Sequence, residues 1–212
     1  MYELYLASST AGFAPHILLR ELGVPFELTF LDLEAREHKQ PAYLALNPLG
    51  RIPALLADGQ PIAEAGAICL WLADRHPEAG LAPSPENALR APYLQWMFFL
   101  SNTVHATLMQ YFYPQRYIED PAQHAAAKRA GIEAAGGWFA EIEKHLSGNG
   151  PYLLGGRISA ADFYLFMLVR WGRHFDNPPA KLPALGALMQ RLLERPTVKA
   201  AFAAEGTTER FF

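Results

Sequence analysis

Between Asn47 and Leu56 the chain reads Asn-Pro-Leu-Gly-Arg-Ile-Pro-Ala-Leu-Leu, and no other stretch constrains the fold as tightly. Two prolines and a glycine this close together exclude a helix interior, because each proline removes a backbone donor and restricts the residue before it. Ala54, Leu55 and Leu56 then form a short apolar run, Asp58-Gly59 supplies a hairpin turn, and Pro61-Ile62-Ala63 resumes the strand pattern. The expected order is loop, strand, tight turn, short strand. Ile52-Pro53 falls where a loop feeds a sheet edge, the place for a cis X-Pro bond. That geometry leaves the N–H and C=O of Ile52 outward, open to an extended peptide ligand by strand addition. Glu64-Ala65-Gly66-Ala67-Ile68 opens a helix directly afterwards, so free N–H groups and a positive dipole end belong to the same place.

Upstream, Tyr2 to Leu6 is a β-prone run and Ser8-Ser9-Thr10-Ala11-Gly12 a small polar loop. Ala14 to Leu22 has helical spacing, with Pro15 in the first turn and Gly23 as the C-terminal cap. Phe26 to Leu31 alternates as a second strand, which makes a βαβ unit with a parallel pair. Glu34 to Gln40 is a charged loop and Ala42 to Leu46 a short helix. With the hairpin and a helix from Glu64 to Arg75, the order is β-α-β-α-β-β-α.

The proline-rich run His76 to Pro85 has linker composition and marks a domain boundary. Helical signals come after it. Asn87 to Tyr113 reads as one long helix ended by Pro114. Ala122 to Leu146 is another, in which Gly136-Gly137 allows a bend or a close packing contact. Ser159-Ala160-Ala161-Asp162 is a capping box with Ile158 in the staple position, opening a helix from Ala160 to Trp171. Leu185 to Leu193 and Val198 to Ala204 complete the helices.

Apolar residues make up 51% of the 212, enough for a packed core. A net charge of −3 excludes a basic nucleic-acid footprint, and no apolar run is long enough to span a bilayer. Cys69 is the single cysteine, which rules out an internal disulfide and a cysteine metal cluster and favours a cytoplasmic address. Between Ile68 and Leu70 it reads as a buried small hydrophobe.

The Asn-Pro-x-Gly-x-Ile-Pro-Ala-Leu loop followed by Glu-Ala-Gly-Ala-Ile resembles the glutathione transferase family, and within it the bacterial theta- and beta-like members. The resemblance spans essentially the whole chain and is strongest over residues 1–76. It implies a thioredoxin-like α/β domain, residues 1–77, that binds glutathione, followed by an all-helical domain, residues 86–212, that forms the electrophile site. By the same resemblance, the backbone of Ile52 before Pro53 holds the cysteinyl part of glutathione. Glu64 and the amide of Ala65 hold its γ-glutamyl end. The family usually has serine at position 65, so here the contact reduces to backbone; Glu64 also reads as an acid complementing a helix dipole.

A glutathione transferase must present a thiolate at neutral pH, and the first β-α loop is where a hydroxyl and a helix N-terminus meet. Counting back from Gly23-Val24-Pro25-Phe26-Glu27, Ser9 falls where theta- and delta-like members place their catalytic serine, and Ala11 where beta-like members place a cysteine. Ser9 ranks first, Thr10 second and Ser8 third; the same run also reads as a helix-capping loop. His38, Lys39 and Arg51 are candidates for the glycyl carboxylate of glutathione, and each also reads as a solvated charge. His105, Tyr111, Tyr113 and Trp171 are candidates for a cleft that takes a small hydrophobic electrophile, and each also reads as core.

The implied activity is conjugation of glutathione, as cosubstrate and without a metal, to a hydrophobic electrophile. Two alternatives stay open: thiolate-based reduction or isomerisation on the same fold, and a non-catalytic binding or regulatory protein with a decayed site, which Ala65 favours. The resemblance also implies a homodimer, and neither nucleic acid nor membrane is expected as a partner.

Overall fold

The computed structural model describes residues 1–207. Its sheet is built from β1 (Tyr2–Leu6), β2 (Phe26–Phe30), β3 (Ala54–Ala57) and β4 (Gln60–Ala63), in the order β2-β1-β3-β4. β1 runs parallel to β2, joined through α1 (Phe13–Leu22). β3 is antiparallel to both β1 and β4. The register obeys the side-chain pattern. Tyr2, Leu4 and Leu6 alternate onto one face of β1, and Leu55 opposite Leu4 joins them. They pack with Leu19 of α1 and with Ile68 and Leu72 of α3 (Ala65–Arg75). Burying each such leucine contributes about 1.5–3 kcal/mol, so a one-residue slip of β1 would turn a large share of this core to the other face. α1 closes as its sequence demands: Gly23 is left-handed at φ 65° and its N–H returns to the Arg20 carbonyl. The short α2 (Pro41–Leu44) stands before the proline loop.

By packing, residues 1–90 form one unit, joined by residues 192–207, and Ala91–Arg191 form a second. The first unit therefore includes α9 (Pro196–Ala204), whose Phe202 ring lies 4.6 Å from that of Phe13. Residues 208–212, the end of the helical domain expected from the sequence, lie outside the described residues.

The second unit is helical. The long helix expected over residues 87–113 begins at Arg90 and is not uniform: α4 (Arg90–Phe98) passes through a π-helical stretch, Phe99–Val104, into α5 (His105–Phe112). A π stretch inserts extra residues per turn and rotates the helix beyond it, which no 3.6-residue periodicity announces. α6 (His124–Asn149) runs through Gly136-Gly137 unbroken, and both glycines are exposed with no neighbour near a Cβ position. Close packing belongs instead to Gly131, where a Cβ would stand 3.2 Å from the Tyr111 amide nitrogen.

α7 (Ala160–Trp171) is buried along its whole length and opens with the expected capping box. Asp162 accepts from the N–H and hydroxyl of Ser159 and, through its other oxygen, from the N–H of Leu153. Burial outweighs those bonds and raises the Asp162 carboxyl to about 6. α8 (Pro183–Leu193) is capped from a distance: the Glu143 carboxylate accepts from the amides of Ala184 and Leu185 at 3.0 and 2.8 Å.

Candidate functional site

Strand register brings three separated segments to one end of the sheet. Tyr5 pairs with Ala54, and Ala54 pairs with Ala63. The loop leaving β1 after Leu6, the residues entering β3 at Ile52-Pro53, and Glu64-Ala65 leaving β4 therefore stand side by side across neighbouring strands. α3 begins there too, and its first amides have no intrahelical partner. Glu64 precedes it at φ 67°, an uncommon conformation for a residue with a Cβ. The Glu64 carbonyl accepts from Ile68, and its side chain is exposed. Ala65 is buried at the first helical position.

The proline loop is tied down from three directions. Tyr43 Oη and Asn47 Nδ2 both donate to the Arg51 carbonyl, at 2.6 and 2.7 Å. Asn47 Oδ1 accepts from the Leu49 amide. The Lys39 ammonium donates to the carbonyls of Leu49 and Gly50 at 3.1 and 2.6 Å. Burial raises the Tyr43 phenol to about 12, so it remains a donor. Gly50 is required, since it stands at φ 55° with the His38 carbonyl 2.8 Å from where a Cβ would be. The Ile52-Pro53 bond is cis, as expected. Ile52 is half-buried, and among the described residues its N–H and C=O make no hydrogen bond. Lys39 is thus a brace of this loop, His38 sits half-buried beside it, and the Arg51 side chain is exposed.

In the first β-α loop, the Thr10 hydroxyl donates to the Ala7 carbonyl at 2.6 Å and the Ser8 hydroxyl to the Glu205 carbonyl at 2.9 Å. Ser9 stands between them at φ 62°, and its N–H donates to Glu205 Oε2 at 2.8 Å. Behind the loop lies a buried chain of polar groups that the sequence does not announce. His16 of α1 is 0% exposed and Glu205 6%. His16 Nδ1 lies 2.9 Å from Glu205 Oε1, and Arg20 Nε lies 2.8 Å from His16 Nε2. Arg20 Nε can only donate, so His16 Nε2 accepts and the ring proton sits on Nδ1, facing the carboxylate. The order Arg20–His16–Glu205–Ser9 N–H is internally satisfied, donor to acceptor at every step. A histidine inside an otherwise apolar helix face was the available signal; its partner, 189 positions away, left none.

In the helical unit, the sequence candidates form a row of ring contacts. His105 meets Trp171 edge-on at 4.9 Å, Trp171 meets Phe112 at 5.9 Å, and Phe112 touches Tyr111 and Tyr113 at 4.9 and 6.5 Å. Phe112, the hub of the row, was not among the residues read from sequence. Arg116 lies 3.8 Å over the Tyr113 ring. His105 Nδ1 bonds the Tyr164 hydroxyl at 2.7 Å, and burial lowers its pKa to about 4, so it is neutral at physiological pH. Cys69 is fully buried, and burial pushes its thiol well above the ordinary range, which removes it as a thiolate nucleophile. Among the described residues no group of three or more His, Cys, Asp or Glu could hold a metal ion. No described helix is long and apolar enough to cross a membrane.

Comparison with known proteins agrees with this geometry. Residues 2–74 match the family model for the glutathione S-transferase N-terminal domain and residues 103–205 that for its C-terminal domain. The chain is 32% identical over 204 residues to glutathione S-transferase GST-4.5 of Xanthomonas campestris, covering 96% of this chain and 98% of the relative. Among solved structures, a sphingomonad glutathione S-transferase complexed with glutathione is 35% identical with a TM-score of 0.84, covering 96% of this chain and 98% of that one. A glutathione transferase homolog from Sulfitobacter with bound glutathione has a TM-score of 0.89 at 28% identity, covering 98% and 99%. The chain belongs to the glutathione S-transferase family.

Proposed function

We propose that this enzyme conjugates the thiol of glutathione to a small hydrophobic electrophile, with Ser9 stabilising the thiolate. One observation supports the reading above the others: the register that gathers the Ser8–Thr10 loop, Ile52 and the start of α3 at one end of the sheet. A tripeptide lying across that end meets an unpaired backbone at Ile52 for its cysteinyl residue. Glu64 and the α3 N-terminus at Ala65 take the ammonium and carboxylate of its γ-glutamyl end. Lys39, with a third N–H beyond the two it spends on carbonyls, and the neighbouring His38 and Arg51 serve the glycyl carboxylate. We assign these contacts to the thioredoxin-like domain, residues 1–77, and the electrophile to the helical domain, residues 86–212, through His105, Tyr111, Tyr113 and Trp171.

Chemically, the thiol proton leaves to solvent, sulfur attacks the electrophilic carbon, and the displaced group departs with the bonding pair. A free thiol has a pKa near ~8.5, so lowering it raises the reactive fraction at neutral pH. The Thr10 and Ser8 hydroxyls donate to carbonyls, and Ser9 leads the three because it falls at the position of the catalytic serine in theta- and delta-like members. Ser9→Ala is expected to raise the pKa of the bound thiol by about 1–2 units, the loss of one charge-assisted hydrogen bond, and to lower kcat/KM for a chloronitrobenzene by about 10–100-fold. Ultraviolet titration of the thiolate reads the first directly, and an unchanged titration moves the role to Thr10. Retention on glutathione resin without turnover would instead support reduction or isomerisation on the same fold, and neither retention nor turnover would support a non-catalytic protein with a decayed site.

The reading includes a cytoplasmic address, in keeping with a single buried thiol, and a homodimer. Leu49 and Phe98, each more than 60% exposed, are apolar surface of the kind a two-fold contact covers. Sedimentation at the mass of one chain, 23.5 kDa, would remove the dimer from the account.

A further inference from the structure

The first unit carries an open groove of about 410 Å³ that shares no residue with the candidate site. It is lined by Leu19 and Arg20 of α1, by Val24 and Phe26 where the chain enters β2, and by Pro196 and Ala200 of α9. Its volume lies within the range of small-molecule sites, and its wall is apolar apart from the Arg20 cation and Thr197, whose hydroxyl is turned to Glu21. Arg20 is half-buried there, with its guanidinium carbon 5.4 Å from the centre of the Phe26 ring. Nε is committed to His16, while the two Nη groups make no hydrogen bond among the described residues. No carboxylate of the described residues forms an ion pair with Arg20. The adjacent acid, Glu21, is held by Arg195 and by the Thr197 hydroxyl, and Glu205 lies beyond the His16 ring. A partly desolvated guanidinium fork with its outer edge open, above an apolar floor, matches a carboxylate on an apolar body.

We propose that this groove binds a small apolar carboxylate, its body on Leu19, Val24, Phe26, Pro196 and Ala200 and its oxygens on the Nη groups of Arg20, and that occupancy is felt at the Ser9 amide. The route is physical and short. Arg20 Nε holds His16, His16 holds one oxygen of Glu205, and the other oxygen holds the Ser9 N–H. A ligand that fixes the guanidinium shifts the balance of each bond after it, and by linkage whatever binds at Ser9 shifts the groove in return. The binding site stands whether or not Ser9 touches a thiol.

Phenylbutyrate titrated into the full chain by calorimetry, without glutathione, tests the proposal apart from any conjugating activity. Saturable binding is expected, about tenfold weaker for the uncharged phenylbutyramide and for Arg20→Gln, the size of one charge-assisted contact. Ala200→Phe, which fills the groove, is expected to abolish it, and the Ser9 cross-peak in proton–nitrogen correlation spectra is expected to move with the same midpoint. Equal affinity for acid and amide on the wild-type chain overturns the assignment without recourse to a variant. So does an absence of saturation, or binding that survives Ala200→Phe. A Ser9 peak that stays still while the groove fills overturns the connection to the loop.

Discussion

Glu205→Ala is expected to destabilise the protein by about 3–5 kcal/mol, the cost of removing one member of a buried, hydrogen-bonded charge network. Both carboxylate oxygens have duties: Oε1 faces the His16 Nδ1 proton and Oε2 accepts from Ser9 N–H. Alanine takes the acceptor from the buried His16 Nδ1–H and from the partly buried Ser9 N–H, and leaves Arg20 pressing on an imidazole that has lost its anchor. Glutamine is the sharper variant, since it keeps the volume but offers one oxygen and one NH2 group. Turned one way, its amide meets the Ser9 N–H and the loop loses its tether. Turned the other, it meets Nδ1–H, and if His16 switches tautomer its new Nε2 proton points at Arg20 Nε–H. Either way one donor faces another, so a loss of about 1–3 kcal/mol results. Urea unfolding measures both. A midpoint for Glu205→Ala equal to wild type would mean that the buried chain of bonds contributes nothing to stability.

The second large effect belongs to Asp162. Its carboxylate takes three donors at the start of α7, and Asp162→Ala strands those groups in the interior at about 3 kcal/mol or more. The pH dependence has a definite sign. The folded-state pKa, about 6, lies above the ordinary 3.8, so between these values the folded chain holds a proton that the unfolded chain releases. Stability from this group is therefore present in full below about 4 and declines as pH rises to about 6, by about 3 kcal/mol for a shift of this size. The difference in unfolding free energy between wild type and Asp162→Ala should accordingly be larger at pH 4 than at pH 7. Comparing the two chains cancels every other titrating group to first order, and a difference that is flat with pH would contradict the burial that raises this carboxyl.

These two acids also mark how far a sequence can be read. Asp162 was legible because its partner Ser159 is three positions away, and a capping box is a local pattern with a local cause. The proline loop was legible for the same reason: Pro48, Gly50 and Pro53 restrict their own backbone whatever surrounds them. The second strand was legible from the alternation of Phe26, Leu28 and Phe30, whereas the sheet register, which depends on the neighbouring strands, was not. Glu205 gave no such sign, since its role depends on a contact with Ser9 across 196 positions. Lys39 was read as a ligand contact or a solvated charge, because nothing local shows that it will bridge two carbonyls of the next loop. Gly136-Gly137 looked like a packing contact and is open surface, while the unremarked Gly131 takes the neighbouring helix; which face of α6 is covered is decided by tertiary packing. The π stretch before His105 was hidden because the surrounding residues keep helical propensity throughout.

The tether on Ser9 also bears on synthesis and dissection. Because α9 and Glu205 pack with residues 1–90, a nascent chain that has emerged as far as residue 90 holds every strand of the sheet yet lacks the carboxylate that fastens the loop. The ribosome must translate the whole helical insert before that fastening is available. A gene fragment cut at the linker would encode the sheet-bearing half with its first loop unfastened, so a minimal domain for engineering has to carry residues 192–207 as well.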